Sequence, residues 1–160
     1  MSDVLSVTID SEEVVGMLSR APAATRKTVG QLIEGSAIDV QREMRIQAPV
    51  AVTGDLRRSI RYVYSPVSLT AEVTANVPYA HDVEHGTSAH YVDASPGSSL
   101  ARWADQKGLN PYAVRANIAK RGTKAHPFAK PTFDKMKPIV ESYIAEGIAK
   151  LVGDLNNGRI

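Results

Sequence analysis

The stretch 28–49, "TVGQLIEGSAIDVQREMRIQAP", decides the fold. Val29, Leu32, Ile33, Ala37, Val40 and Met44 recur at three- and four-residue steps, which stacks them on one face of a helix. Arg26, Lys27, Glu34, Asp39, Arg42 and Glu43 fill most of the gaps. Gly30 and Gly35 weaken such a helix without breaking it. Pro22 suits its first turn, and Pro49 ends it because the residue before a proline is pushed out of helical backbone. The spacing therefore predicts one long amphipathic helix from about 22 to 48, with an apolar stripe that another layer must cover.

The neighbouring segments supply that layer. "VLSVTI" (4–9) alternates and is β-branched, as a short strand does, and Asp10 or Ser11 can cap a short helix reaching about Arg20. Downstream, "VAVTGD" (50–55) reads as a loop. "SIRYVYSP" (59–66) and "SLTAEVTANV" (68–77) alternate across a Ser-Pro-Val-Ser turn, which predicts a β-hairpin. A short helical turn follows Pro78. Residues 88–125 read as a helical insert, with one short helix bearing Trp103 and a second at "PYAVRANIAKRG" (111–122). Phe133, Met136, Val140, Tyr143, Ile144, Ile148 and Leu151 mark a last long helix from about Pro131 to Val152, which Pro138 kinks or whose start it shifts. Residues 153–160 read as a frayed tail. The expected fold class is α+β: a small antiparallel sheet around a central hairpin, packed against two long amphipathic helices, in one domain spanning 1–160.

Composition narrows the function classes. The chain has 160 residues, 43% hydrophobic and 22% charged, an ordinary globular balance. It has no cysteine, which excludes disulfides and thiolate metal sites. A net charge of +2 alone implies neither a nucleic-acid nor a membrane partner. No basic n-region or long apolar run opens the chain, so neither a signal peptide nor a membrane span is expected, and synthesis in the cytoplasm follows.

"PYAHDVEHGT" (78–87) carries the one catalytic pattern. His81, Glu84 and His85 match H-x-x-E-H, in which two histidines one helical turn apart grip zinc and the glutamate acts as general base. Glu141 or Glu146 would have to complete the ligand set. Against this, Pro78 and Gly86 leave barely two helical turns to hold the ligands, and little chain remains to build a substrate cleft. The competing reading gives a short helix with partly exposed histidines and with Tyr79, Ala80 and Val83 buried. A second signal is basic: Arg115, Lys120, Arg121, Lys124, Lys130, Lys135 and Lys137 face a single acid, Asp134, and Arg57, Arg58 and Arg61 cluster separately. Such runs could meet phosphates with a strong salt dependence, or form a solvated or partner-facing surface. Trp103 suits either a satellite core or an interface anchor, whereas Tyr112, Phe128 and Phe133 are expected in the core.

Three segments in order, "APVAVTGDLRRSI" (48–60), "PYAHDVEHGT" (78–87) and "AHPFAKPTFD" (125–134), resemble the neck or tail-completion proteins of long-tailed bacteriophages, the minor tail protein Z type. The matching positions are Thr53, Gly54, Leu56, Arg57, Ser59 and Ile60; Pro78, Tyr79, Ala80, Val83, Glu84, Gly86 and Thr87; and Pro127, Phe128 and Pro131. The chain departs from the family pattern at Val52, where relatives carry an acid, at His85, often aromatic in relatives, and in its longer insert. The resemblance implies a structural virion protein without cofactor or enzymatic activity. It would form a homo-oligomeric ring, six-fold to match a tail tube, at the head–tail junction. Its partners would be the head connector or stopper and the tail terminator or tube, with DNA passing through the lumen without sequence recognition and no membrane involved. Candidate interface residues are Arg57, Arg58, Glu84, Trp103, Arg121 and Lys124, with Glu84 a candidate to pair with Arg57 or Arg58, either within the fold or across a subunit boundary. The alternatives are a basic DNA-binding module and, last, a small zinc hydrolase.

Overall fold

A computed structural model describes residues 6–9, 23–50, 53–157 and 159. Strand β1 (Ser6–Ile9) is followed by helix α1 (Ala23–Gln47), a single turn α2 (Asp55–Ser59), strands β2 (Ile60–Ser65) and β3 (Thr70–Ala75), and α3 (Ala80–His85). Helices α4 (Ser99–Gln106), α5 (Pro111–Arg121) and α6 (Ala129–Asn156) complete the chain. The expected short helix at 10–20 and its neighbour Pro22 lie outside the described residues, as do Ala51 and Val52 of the loop.

The three strands form one antiparallel sheet in the order β1-β3-β2, with Ser6 opposite Thr74 and Ile60 opposite Ala75. In β3 the side chains of Ala71, Val73 and Ala75 are buried, while in β2 Ile60 is buried and Arg61 and Val63 are exposed. That alternation turns one sheet face to the helices. Val29, Ile33, Ala37, Val40 and Met44 of α1 cover it, as their spacing predicts. The sheet and the two long helices are therefore the α+β arrangement that the sequence implies. Gly30 has a packing reason to be small: a Cβ there would meet the Tyr64 hydroxyl at 2.3 Å.

Helix α6 differs from its expected form at both ends. It begins at Ala129, ahead of Pro131, and runs to Asn156 rather than Val152, with Pro138 inside it and no shift of its start. Its stripe is only partly covered: Met136 and Leu151 are buried, but Phe133 and Tyr143 are 45% and 48% exposed. Tyr112 is likewise 50% exposed, so of the three aromatic rings expected in the core only Phe128 is there, fully enclosed. Among the described residues no helix is long and apolar enough to cross a membrane.

Lys135 of α6 reaches the Glu43 carboxylate of α1 at 2.8 Å, and Gln47 donates to the same oxygen at 2.7 Å. The Lys135 hydrogen bond, then that of Gln47, hold the Glu43 carboxyl below its ordinary pKa, against the opposing effect of burial. A depressed folded-state pKa gives stability that is present above the unfolded value and lost as pH falls through the folded one. The expected result for Glu43→Gln is a lower urea midpoint at pH 7 and a difference from the parent that vanishes at strongly acid pH.

Candidate functional site

The three motif segments converge on the ends of the two long helices. At the start of α6 the sequence "HPFAKP" offers no Ser, Thr, Asp or Asn side chain to satisfy the free amides that every helix N-terminus presents. Glu84 supplies what is missing from 44 residues away. Its Oε2 accepts from the Phe128 amide at 2.7 Å and the Ala129 amide at 2.9 Å, and its Oε1 accepts from the Lys130 amide at 2.9 Å. The next residue, Pro131, has no amide to satisfy, and Thr132 makes the first intrahelical bond, to the Phe128 carbonyl, at 3.4 Å. All four orphan positions are thus accounted for. A negative charge at the positive end of the helix dipole adds to the hydrogen bonds. Glu84 is 4% exposed and Phe128 beside it 0%, so this polar joint sits in the core.

This corrects the expectation for Glu84, which does not pair with Arg57 or Arg58 within the chain. It also takes the general base out of the zinc pattern. Both Glu84 oxygens are engaged by amides, while His81 and His85 are exposed with their ring centroids 4.6 Å apart. Among the described residues no cluster of three His, Asp or Glu side chains could hold a metal ion. In α3 the buried face is Ala80 and Glu84, with Val83 half-buried against the core; Tyr79, expected inside, is 40% exposed. Burial, and then the nearby Asp55 charge, push its phenol pKa up.

The arginine cluster has a different task from ion pairing with Glu84. Arg57 Nε donates to the Ala48 carbonyl at 2.8 Å and its Nη2 to the Ile46 carbonyl at 3.5 Å, serving the C-terminal end of α1. Arg58 pairs with Asp55 at 2.5 Å, and the Thr53 hydroxyl donates to that same carboxylate. Leu56 is buried, Ser59 donates to the Leu56 carbonyl at 2.8 Å, and Gly54 precedes α2 at φ 67°. From α1, Arg45 donates twice and Gln41 once to the Ile60 carbonyl. Arg42, Arg45, Arg57, Arg58 and Arg61 thereby line one open groove of about 780 Å³ with Ile38 and Ile46. Sequence reading found Arg57, Arg58 and Arg61 but not Arg42 and Arg45, because only the fold brings the polar flank of α1 beside β2.

The insert is closed at its neck. Thr87 and Thr123 form an antiparallel bridge with amide-to-carbonyl distances of 3.1 and 3.2 Å, each just after a glycine of positive φ, Gly86 and Gly122. The His126 amide continues the joint to the Val83 carbonyl at 2.8 Å. Within the insert Trp103 is half-buried on α4, and Arg115 lies 5.7 and 5.3 Å from the Tyr91 and Tyr112 ring centroids. Much of the basic run is neutralised locally: Lys130 by Asp134 at 3.0 Å, Lys135 by Glu43, and Lys137 by Glu141 at 4.0 Å. Arg121, Lys124 and Pro127 are exposed, as is Pro78.

What these contacts define is a structural joint: a loop segment, a short helix and an insert neck that together fix the ends of two long helices against a small sheet. Residues 12–86, just under half of the chain, match the family model "Bacteriophage HK97-gp10, putative tail-component". Over that stretch the protein is similar to a phage tail component, in keeping with the resemblance to the neck and tail-completion family, and a phage tail-related structural protein is the class to which the match points. The match takes in the first of the three motif segments and the second as far as Gly86, stopping before the insert and the Glu84-capped helix start. No curated protein and no solved structure matches the chain.

Proposed function

We propose that this protein is a non-enzymatic structural component of the virion neck, assembled in the host cytoplasm. It forms a homo-oligomeric ring, six-fold like a tail tube, that completes the tail end and joins it to the head connector. The tail-component match over residues 12–86 carries the reading. The exposed apolar side chains Ile46, Ile139 and Tyr143 support it, since a ring subunit needs such surface for its neighbours. In this reading DNA crosses the lumen without base recognition, and no cofactor takes part.

The experiment is an image of the particle with this protein labelled. The expected result is a ring of density at the head–tail junction; copies found elsewhere, or none in the particle, overturn the reading. A second reading, a basic module that holds duplex DNA, is favoured by the five arginines of the groove. It predicts an affinity for duplex that falls steeply between 50 and 200 mM salt, on the order of a thousandfold or more where six phosphates or more are contacted.

A further inference from the structure

Strand β2 is an edge of the sheet, and its hydrogen-bonding phase fixes what that edge offers. The Asn76 amide donates to the Ser59 carbonyl at 3.3 Å, one register step before β2 begins. Ladder bonds to β3 therefore fall on Arg61, Val63 and Ser65, and the alternate residues Ile60, Tyr62 and Tyr64 turn their peptide groups outward. The Ile60 carbonyl agrees with that phase, since Gln41 and Arg45 of α1 donate to it at 3.0 and 2.7 Å. Among the described residues no side chain does the same for the Tyr62 or Tyr64 peptide groups; the Tyr62 contact to Glu34 is made by its hydroxyl. Nor is the edge guarded in the usual ways. It holds no proline, lysine or bulge, and Val63 on its outer face is 66% exposed.

The surroundings of this edge are basic at one end. There the arginine groove exposes Ile38 and Ile46, and its charge is not balanced within the chain. Asp39 answers Arg42 at 2.7 Å and Asp55 answers Arg58, whereas Arg45 and Arg57 are tied to carbonyls and Arg61 has no polar partner among the described residues. At the Tyr64 end lies a second hollow, lined by Gly30, Gln31, Glu34 and Tyr64 among others. A strand added to β2 would run between the two hollows, its alternate side chains beside Arg61 and Val63 on one face and toward Ile38 on the other. A phosphate backbone would use the arginines but leave the outward carbonyls, Ile38 and Ile46 without a partner.

We propose that the β2 edge takes an extended acidic segment of a partner protein as a further strand. The peptide groups of Tyr62 and Tyr64 supply the ladder bonds, and the arginine groove selects acidic side chains. The inference goes beyond the ring reading and does not depend on it.

The probe is a capped synthetic peptide of alternating valine and glutamate, titrated into the full chain at about 50 mM salt, where exposed charges are weakly screened. Amide hydrogen exchange gives the readout. In the protein alone the Tyr62 and Tyr64 amides should exchange faster than those of Arg61 and Val63, and the peptide should slow them. The N-methylated peptide, whose amides cannot donate, should neither bind nor protect. Arg42→Glu with Arg61→Glu, both on exposed side chains and checked for folding by circular dichroism, should weaken binding by about tenfold or more. No binding of the probe, or equal binding of its N-methylated form, overturns strand addition. Equal binding of a valine–lysine peptide overturns the acidic partner. Duplex DNA that binds through the two arginines while Tyr62 and Tyr64 still exchange, with the peptide inert, replaces the proposal with a phosphate site. Protection of Tyr62 and Tyr64 that rises with protein concentration alone makes a second copy the occupant and overturns the partner.

Discussion

Replacing Glu84 by alanine is expected to remove roughly 3–5 kcal/mol of folding stability, a large share of the 5–15 kcal/mol typical of a domain. The carboxylate accepts from the amides of Phe128, Ala129 and Lys130, two of these contacts being buried. Truncation leaves those donors without a partner, the two buried ones without access to water, at about 1–3 kcal/mol for each buried amide, less than additively. It also removes a charge placed at the positive end of the longest helix. Glu84→Gln keeps one acceptor oxygen and is expected to cost about half as much. His81→Ala and His85→Ala touch exposed rings on the same short helix and are expected to stay within about 0.5 kcal/mol. The check is urea unfolding. The midpoint of Glu84→Ala should fall with an unchanged denaturant slope, and a shift no larger than that of the histidine variants would refute the capping role.

The contrast within "HDVEH" shows how far sequence carried the site. The long helix α1 is legible because the 3.6-residue period of Val29, Ile33, Ala37, Val40 and Met44 is a local property of the chain, and so is the alternation in β2 and β3. Glu84 looks like a surface acid because its reason for burial lies 44 residues downstream. The signal was present in a negative form: "HPFAKP" begins a helix with no capping side chain, so some other segment had to supply an acceptor. The arginine groove is hidden for the same cause. Arg42 and Arg45 read as the polar flank of a helix, and only the packing of α1 against β2 sets them beside Arg61. Tyr112, Tyr143 and Phe133 fail in the opposite direction, since an aromatic residue at helical spacing reads as core whether its cover is this chain or a neighbour.

The second large effect is expected at the neck of the insert. Gly122 has φ 73° and ψ −160°, a region open almost only to glycine, and a Cβ there would lie 1.8 Å from the Thr87 carbonyl oxygen and 2.7 Å from Ser88 backbone atoms. Gly86 mirrors it at φ 74°, with a Cβ 2.5 Å from the Thr123 carbonyl oxygen. Since the obstructing atoms are backbone, no rotamer change relieves the clash, and the Thr87–Thr123 bridge must open. Gly122→Ala is expected to cost about 2–4 kcal/mol, combining backbone strain with the loss of the bridge. Two other glycines separate those causes. Gly97 and Gly108 have φ of 85° and 65° but nothing within 4 Å of an added Cβ, so alanine there meets strain alone, about 1–2 kcal/mol. Amide hydrogen exchange gives the sharper readout. In Gly122→Ala the Thr87, Thr123 and His126 amides should lose protection, whereas the core amides of β3 keep theirs relative to the global stability. The insert would then be tethered only by its chain ends, and trypsin cleavage at Arg115, Lys120 and Arg121 should accelerate in step with the lost protection. Equal effects of Gly122→Ala and Gly97→Ala would mean that the neck is held by something other than this close backbone approach.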